Sequence, residues 1–160
     1  QGREKVTKET LDFSELSEMA AAEMTALAEV KEIRLETEIT PHLMVCGDET
    51  LLIRLWLNLL QNAVTYGKKG GCIRMSLQDK DEMVAGCVED DGIGISAEDL
   101  PHIWERFYRA DSARSDSGSS GLGLSMVQWI VSVHNGTIQA ASQPGRGSRF
   151  TFQIPKEKKS

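Results

Sequence analysis

The sequence predicts an α+β fold, a two-layer α/β sandwich. A mixed sheet of about five strands is covered on one face by about three helices. Three observations carry this. Helical and strand-like segments are mixed but do not alternate as regular βαβ units. Residues 48–66 and 121–133 have apolar positions at helical spacing, whereas 33–39, 73–88 and 137–154 have the two-residue period of strands. The chain has 160 residues, 40% of them hydrophobic and 26% charged, which suits one soluble domain with its own core.

In chain order, Leu11–Phe13 is a short extended candidate, and Ser14 is the expected N-cap of a helix over 15–31. Its apolar positions are Leu16, Met19, Ala20, Leu27 and Val30. Ile33, Leu35, Thr37 and Ile39 alternate with charged residues as in a half-buried strand, which Pro41 ends. Asp48 caps a second helix running to about Tyr66, with Leu52, Leu55, Leu59, Leu60 and Ala63 on its apolar side and Gly67 and Gly70–Gly71 stopping it. Strands follow at 73–77 and 83–88, joined by a polar turn. A third helix covers 121–133, and strands at 137–141 and 148–154 are connected through Pro144-Gly145-Arg146-Gly147. The stretch DSARSDSGSS at 111–120 is too polar to bury itself and is expected to form a mobile surface loop.

Net charge and cysteine usage narrow the function classes. At −6 with no basic stripe, the chain is a poor nucleic-acid binder, and Lys156, Lys158 and Lys159 read as a solvated end. No apolar run approaches the ~20 residues that span a bilayer. Cys46, Cys72 and Cys87 are widely spaced and without a CxxC, so they read as buried or half-buried thiols. His42, His102 and His134 have no metal-ligand or triad context and read as structural or surface groups.

Four ordered blocks carry the chemistry: NLLQNA (58–63), DDGIG (90–94), IWERFYR (103–109) and SSGLGLSMV (119–127). Asn58 and Asn62 share a helix face, with Arg54 a turn before and Tyr66 a turn after. Asparagine disfavours helix interiors, and its amide oxygen is a hard ligand for magnesium. Taken alone, the pair reads better as two solvated side chains. Asp90 follows a strand and precedes Gly92 and Gly94. A carboxylate there can accept from an exocyclic amine such as that of adenine, with the glycines letting backbone pass close to a base, and an Asp-Gly turn is the competing reading. Asp91 and Glu89 read as solvated or turn residues. Gly118, Gly121 and Gly123 lead into an apolar helix whose free N–H groups suit phosphate, or else form a flexible linker and cap. There is no GxxxxGK[ST], and GLGL does not follow a strand, so neither a P-loop nor a dinucleotide fingerprint fits. Trp104, Phe107 and Tyr108 read as core or hinge packing. Arg106 and Arg109 suit a phosphate, a partner or a surface ion pair.

In this order the blocks resemble the N box, first glycine box, F box and second glycine box of the ATP-binding catalytic domain of bacterial sensor histidine kinases, within the Bergerat-type ATPase superfamily. The resemblance covers roughly residues 10–155, including the ending HNGTIQAASQPGRGSRFTFQIP. It implies that Asn62 holds magnesium with Asn58 in support, and that Asp90 binds the adenine amino group in a pocket shaped by Gly92, Gly94 and Ile95. It further implies that Tyr66 packs on the base, and that Gly121, Leu122, Gly123 and Leu124 offer backbone donors to the phosphates. Arg109 is a further ATP-binding candidate, 108–120 is the mobile ATP lid, and Ser148 supports Asp90 through a water. The sequence departs from the family pattern at Thr65, where a basic residue is frequent, at Ser119, where glycine is, and at Trp104, where phenylalanine is.

The resemblance also implies a choice of chemistry. The superfamily's hydrolases carry a glutamate general base one turn before the magnesium asparagine, and this chain has Asn58 there. An amide accepts no proton at neutral pH, and general-base help is worth about 10²–10⁴-fold. The expected activity is therefore that of a protein-histidine kinase. ATP–Mg²⁺ is bound and its γ-phosphate presented to a histidine on a separate dimerisation domain, in signalling to a response regulator. That histidine is not found in this sequence, so the chain alone is expected to be monomeric and unable to phosphorylate itself. Residues 1–9 read as the tail of a preceding hairpin or linker, 10–155 as the catalytic domain and 156–160 as a basic tail. The location expected is a cytoplasmic domain of a membrane-anchored protein. The alternatives are a nucleotide-binding module without kinase activity, and a serine kinase of the anti-sigma type.

Overall fold

The computed structural model describes residues 5–105 and 123–157. The expectations for Arg106, Arg109, Ser119, Gly121, Leu122 and the 108–120 loop lie outside the described residues.

The elements are β1 (Glu9–Asp12), α1 (Phe13–Val30), β2 (Arg34–Ile39), β3 (Met44–Gly47), α2 (Glu49–Tyr66), β4 (Cys72–Lys80), β5 (Met83–Asp90), a 3-10 turn at Leu100–His102, α3 (Gly123–Val133), β6 (Thr137–Gln143) and β7 (Gly147–Pro155). Five strands form one sheet in the order β2-β4-β5-β7-β6. β2 runs parallel to β4, and the other three pairings are antiparallel. β1 and β3 make a separate antiparallel pair. The helices lie side by side, α1 against α2 and α2 against α3. The two-layer mixed sandwich read from the periodicities is the fold observed.

The core is the inner face of the sheet against these helices. Ile73, Met75 and Leu77 of β4, Val84 and Val88 of β5, and Phe150, Phe152 and Ile154 of β7 are all buried. Their in-between neighbours Arg74, Glu89 and Arg149 face solvent, as the two-residue period requires. Phe13, Trp56 and Phe152 join the layers, with ring centroids 5.0 to 6.1 Å apart. Gly86 makes room for this cluster, because a Cβ there would strike the Phe152 ring. The Trp56 indole N–H, fully buried, has no hydrogen-bond partner among the described residues, at a cost of ~1–3 kcal/mol.

Several expectations are corrected. The N-cap of α1 is Asp12, whose Oδ1 accepts from the Glu15 N–H at 3.0 Å, and the strand before it is Glu9–Asp12. Ser14 is buried, donates to the Thr40 carbonyl and accepts from the Leu43 N–H, since the returning chain packs over it. The buried face of α1 is Leu16, Ala20, Met24 and Ala28 with Phe13 and Ala21, a row at four-residue spacing. Met19, Leu27 and Val30 are exposed. β3 went unread, because four residues show no usable alternation and it exists only by pairing with β1. Cys46, on that strand, is exposed. Lys156 is held rather than solvated, with its Nζ 2.8 Å from Asp79 Oδ1 and its N–H on the Glu82 carbonyl.

Candidate functional site

The site is assembled on α2, and α2 is fastened at its start. The Asp48 Oδ1 accepts from the Leu51 N–H at 3.0 Å, and its Oδ2 accepts from the Thr7 N–H at 2.8 Å. Burial pushes the Asp48 carboxyl up, but the backbone N–H groups of Thr7 and Leu51 outweigh it and hold the group below its ordinary range. The backbone N–H of Asp48 donates to Nε2 of buried His134 at 3.0 Å, and His134 Nδ1 lies 2.7 Å from the Ile130 carbonyl. That pattern fixes a neutral ring protonated on Nδ1. Burial lowers the His134 pKa in the same sense. His134 thus joins the end of α3 to the start of α2, a structural role that a lone histidine before Asn135-Gly136 did not specify.

At the other end, the Lys31 ammonium donates to the Val64 and Thr65 carbonyls at 2.8 and 2.9 Å, closing the terminus of α2 that lacks a basic residue of its own. Asn58, Asn62 and Tyr66 are half-buried on one stripe between these two anchors. The Asn58 amide donates across to the Gly123 carbonyl, the first residue of α3, through a long 3.4 Å hydrogen bond. α3 is therefore tied to α2 at both of its own ends, by Gly123–Asn58 at its start and His134–Asp48 at its close.

Asp90 ends β5 on its inner face, opposite Ser148 of β7. It is 6% exposed, and Gly92 N–H donates to its Oδ1 at 2.8 Å. Burial raises its pKa to about 6. The backbone N–H groups of Gly92 and Ser148 oppose that rise, and the charges of Asp91 and Glu89 add to it. Ser148 supports Asp90 directly by its backbone, while its hydroxyl turns to Ser142 Oγ at 2.8 Å. Ser142 escaped the sequence reading. Its Oγ accepts from the Ile95 N–H at 2.7 Å and reaches the Gly147 carbonyl at 2.9 Å, so it braces the Asp90 loop on the β6–β7 hairpin. The available signal was its register opposite Ser148, which only strand pairing supplies.

The glycines of this loop serve close backbone packing within the protein. A Cβ on Gly92 would strike the Tyr66 carbonyl, and one on Gly94, at φ +75°, would strike the Gln143 carbonyl. The Ile93 N–H bonds the Tyr66 carbonyl at 3.0 Å, and the Ile93 carbonyl accepts from Gly145 at 2.8 Å. The loop is thereby pinned between the end of α2 and the β6–β7 turn, which brings Tyr66 and Asp90 together. Gly123 differs, since a Cβ there meets no described atom within 4 Å. Asp91 is not a solvated turn residue; its Oδ1 accepts from the Cys72 N–H at 3.0 Å and holds the start of β4. Trp104 packs edge-on against Phe150, centroids 5.9 Å apart, as core rather than site. His42 and His102 are exposed.

Among the described residues no group of three or more His, Cys, Asp or Glu side chains could hold a metal ion, and no helix is long and apolar enough to cross a membrane.

The sandwich, with its asparagine-bearing central helix facing a buried strand-end aspartate, belongs to the family of histidine kinase-, DNA gyrase B- and HSP90-like ATPases, whose model matches residues 47–158. Particular relatives are sensor histidine kinases. The chain is 37% identical over 157 residues to the sensor-like histidine kinase SenX3 of Mycobacterium tuberculosis, covering 97% of this chain and 38% of that protein. It is 33% identical over 156 residues to the sensor histidine kinase YclK of Bacillus subtilis, covering 95% and 33%. Among solved structures, the mycobacterial sensor histidine kinase MprB superposes with a TM-score of 0.82 at 30% identity, covering 92% of this chain and 98% of that one. The catalytic domain of histidine kinase ThkA superposes with a TM-score of 0.81 at 25% identity, covering 94% and 96%. The chain spans between a third and two fifths of the length of these two curated relatives.

Proposed function

We propose that this chain binds ATP with Mg²⁺ and presents the γ-phosphate to a histidine on a separate dimerisation domain, the donor half of a two-component kinase that signals to a response regulator. The observation that carries the nucleotide reading is Asp90. It is a buried carboxylate with no cation among its described partners, raised to about 6, and held by two backbone N–H groups that leave it acceptor capacity. An exocyclic amine such as that of adenine is the partner such a group lacks. Ile95, Gly92 and Gly94 belong to its loop, and the half-buried Tyr66, whose carbonyl accepts from Ile93 of that loop, is the side chain assigned to pack on the base.

The donor set also fits the ion. The Asn62 amide oxygen, a hard donor half-buried on the α2 stripe, would hold a magnesium ion together with phosphate oxygens. The ion's contribution when bound is to neutralise phosphate charge. Gly123 and Leu124 open α3 and offer N–H donors and the positive end of the helix dipole to phosphate, and the resemblance adds Gly121 and Leu122 as further phosphate contacts. Arg109 is assigned as a further ATP contact. Asn58 is the residue that favours kinase over hydrolase. It stands where a general base for water would be needed, its amide is committed to Gly123, and it removes no proton.

Calorimetry with ATP and a non-hydrolysable analogue, with and without Mg²⁺, tests the site. Asp90→Ala is expected to weaken binding by about 10–150-fold, the loss of one charge-assisted hydrogen bond. Asn62→Ala is expected to abolish the effect of Mg²⁺ on affinity. Unchanged affinity in Asp90→Ala defeats the pocket assignment. Acid-labile phosphate on this chain alone, from radiolabelled ATP, defeats the separate-acceptor reading.

A further inference from the structure

α1 carries a surface that the sandwich does not use. Its inner face packs on α2, β2, β3 and β4. On its outer face Met19, Ala22, Ala26 and Val30 are exposed, at steps that place them on one stripe, with Leu27 at the margin. The stripe is ~16 Å long. Four large hydrophobic residues are exposed among the described residues, and three of them lie on this helix: Met19 at 52%, Leu27 at 38% and Val30 at 83%.

The surroundings of the stripe are acidic. Residues 13–40 hold seven glutamates against Lys31 and Arg34, an excess of five negative charges where the whole chain has six. Glu15, Glu18, Glu23 and Glu29 border the stripe, and α1 has no Lys or Arg. The two basic residues of the segment are engaged, Lys31 on the carbonyls of α2 and Arg34 on Glu36 at 2.8 Å.

We propose that the outer face of α1 docks a basic amphipathic helix of another protein domain, its apolar side on Met19, Ala22, Ala26 and Val30 and its lysines or arginines on the bordering glutamates. Charge selects this occupant. A second copy of the chain would set one glutamate border against another, and an anionic membrane or a nucleic acid would be repelled. An apolar stripe with one sign of charge on its rim fits a helix of the opposite sign. α1 packs on α2, and α2 in turn on α3, so docking on the outer face of α1 leaves the proposed nucleotide pocket open.

The test uses the isotopically labelled 160-residue chain and a synthetic helical Leu/Lys peptide with one apolar face, followed by amide chemical-shift mapping. The expected result is saturable binding with shifts confined to α1 and β2, weakened at least about tenfold by the double change Met19→Ser with Val30→Ser, and weakened as salt rises. ATP affinity of the double variant stays at the wild-type value, which shows that the variant folds and separates this reading from the nucleotide reading. A Leu/Glu peptide of the same pattern gives no shifts. Shifts mapping elsewhere, or equal binding by the double variant, overturn the proposal. So does co-sedimentation with phosphatidylglycerol vesicles, or concentration-dependent dimerisation through α1.

Discussion

Asp90→Asn separates what this residue does for the fold from what it does for the site. Burial raises the carboxyl from 3.8 to about 6. The folded state therefore holds a proton that the unfolded chain has released between those values, and stability falls as pH rises through that window. The full shift corresponds to ~3 kcal/mol of cost for the ionised group above pH ~6. Asparagine is never ionised and keeps one acceptor oxygen for the Gly92 N–H, but exchanging the other oxygen for NH₂ gives up one acceptor, which offsets ~1 kcal/mol of the gain. The variant is thus expected to be more stable than wild type by about 1–2 kcal/mol near pH 8, while its ATP affinity drops about tenfold. Urea denaturation of both proteins from about pH 4.5 to 8 isolates the effect, since other carboxylates cancel in the difference. Wild type should lose ~2 kcal/mol relative to the variant across that range. A pH-independent difference, or a variant less stable at the alkaline end, would refute the claim that a buried, cation-free carboxylate is held here at the expense of stability.

Three further outcomes are expected. Gly92→Ala should cost at least ~2 kcal/mol, because its Cβ meets the Tyr66 carbonyl, whereas Gly123→Ala should be neutral or stabilising by up to ~1 kcal/mol yet bind nucleotide more weakly; thermal melts paired with calorimetry distinguish the two glycines. His134→Leu leaves the Asp48 N–H without its acceptor and should cost ~1–3 kcal/mol, with His134→Gln recovering more than half. Because the folded His134 pKa is lowered, its contribution is complete above the unfolded value of 6.5 and lost as pH falls below it, a loss that denaturation of either variant should no longer show. Asp48→Ala removes the α2 cap and the tie to Thr7, an expected ~1–2 kcal/mol at neutral pH. That difference should disappear as acid protonates the depressed wild-type carboxyl, measured by the same denaturation series.

The long elements were legible because their signals are local. Asp48 as N-cap and Leu52, Leu55, Leu59, Leu60 and Ala63 as a buried row follow from helix periodicity alone, as do the alternating strands β4, β5 and β7. α1 was legible as a helix but not in its orientation. Its apolar residues occupy two faces, and the choice between Met24 with Ala28 and Met19 with Val30 depends on what packs against them. The same holds for Ser14, a plausible cap by type that is instead buried under the returning chain.

The sequence by itself determined the α+β class, the four ordered blocks and the absence of a water-activating glutamate before Asn62. Each of these resides in residue type and short-range spacing. The tertiary structure alone decided how the described parts of the first two blocks are held against each other and against α3. Ser142 braces Ser148 and Ile95, His134 links α3 to the Asp48 cap, Lys31 closes α2, and Gly92 and Gly94 admit carbonyls from distant segments. Apart from the Ser142–Ser148 pair, these contacts join residues far apart in the chain, through backbone groups that every residue possesses. Their burial, which raises Asp90, exists only once sheet and helices have packed.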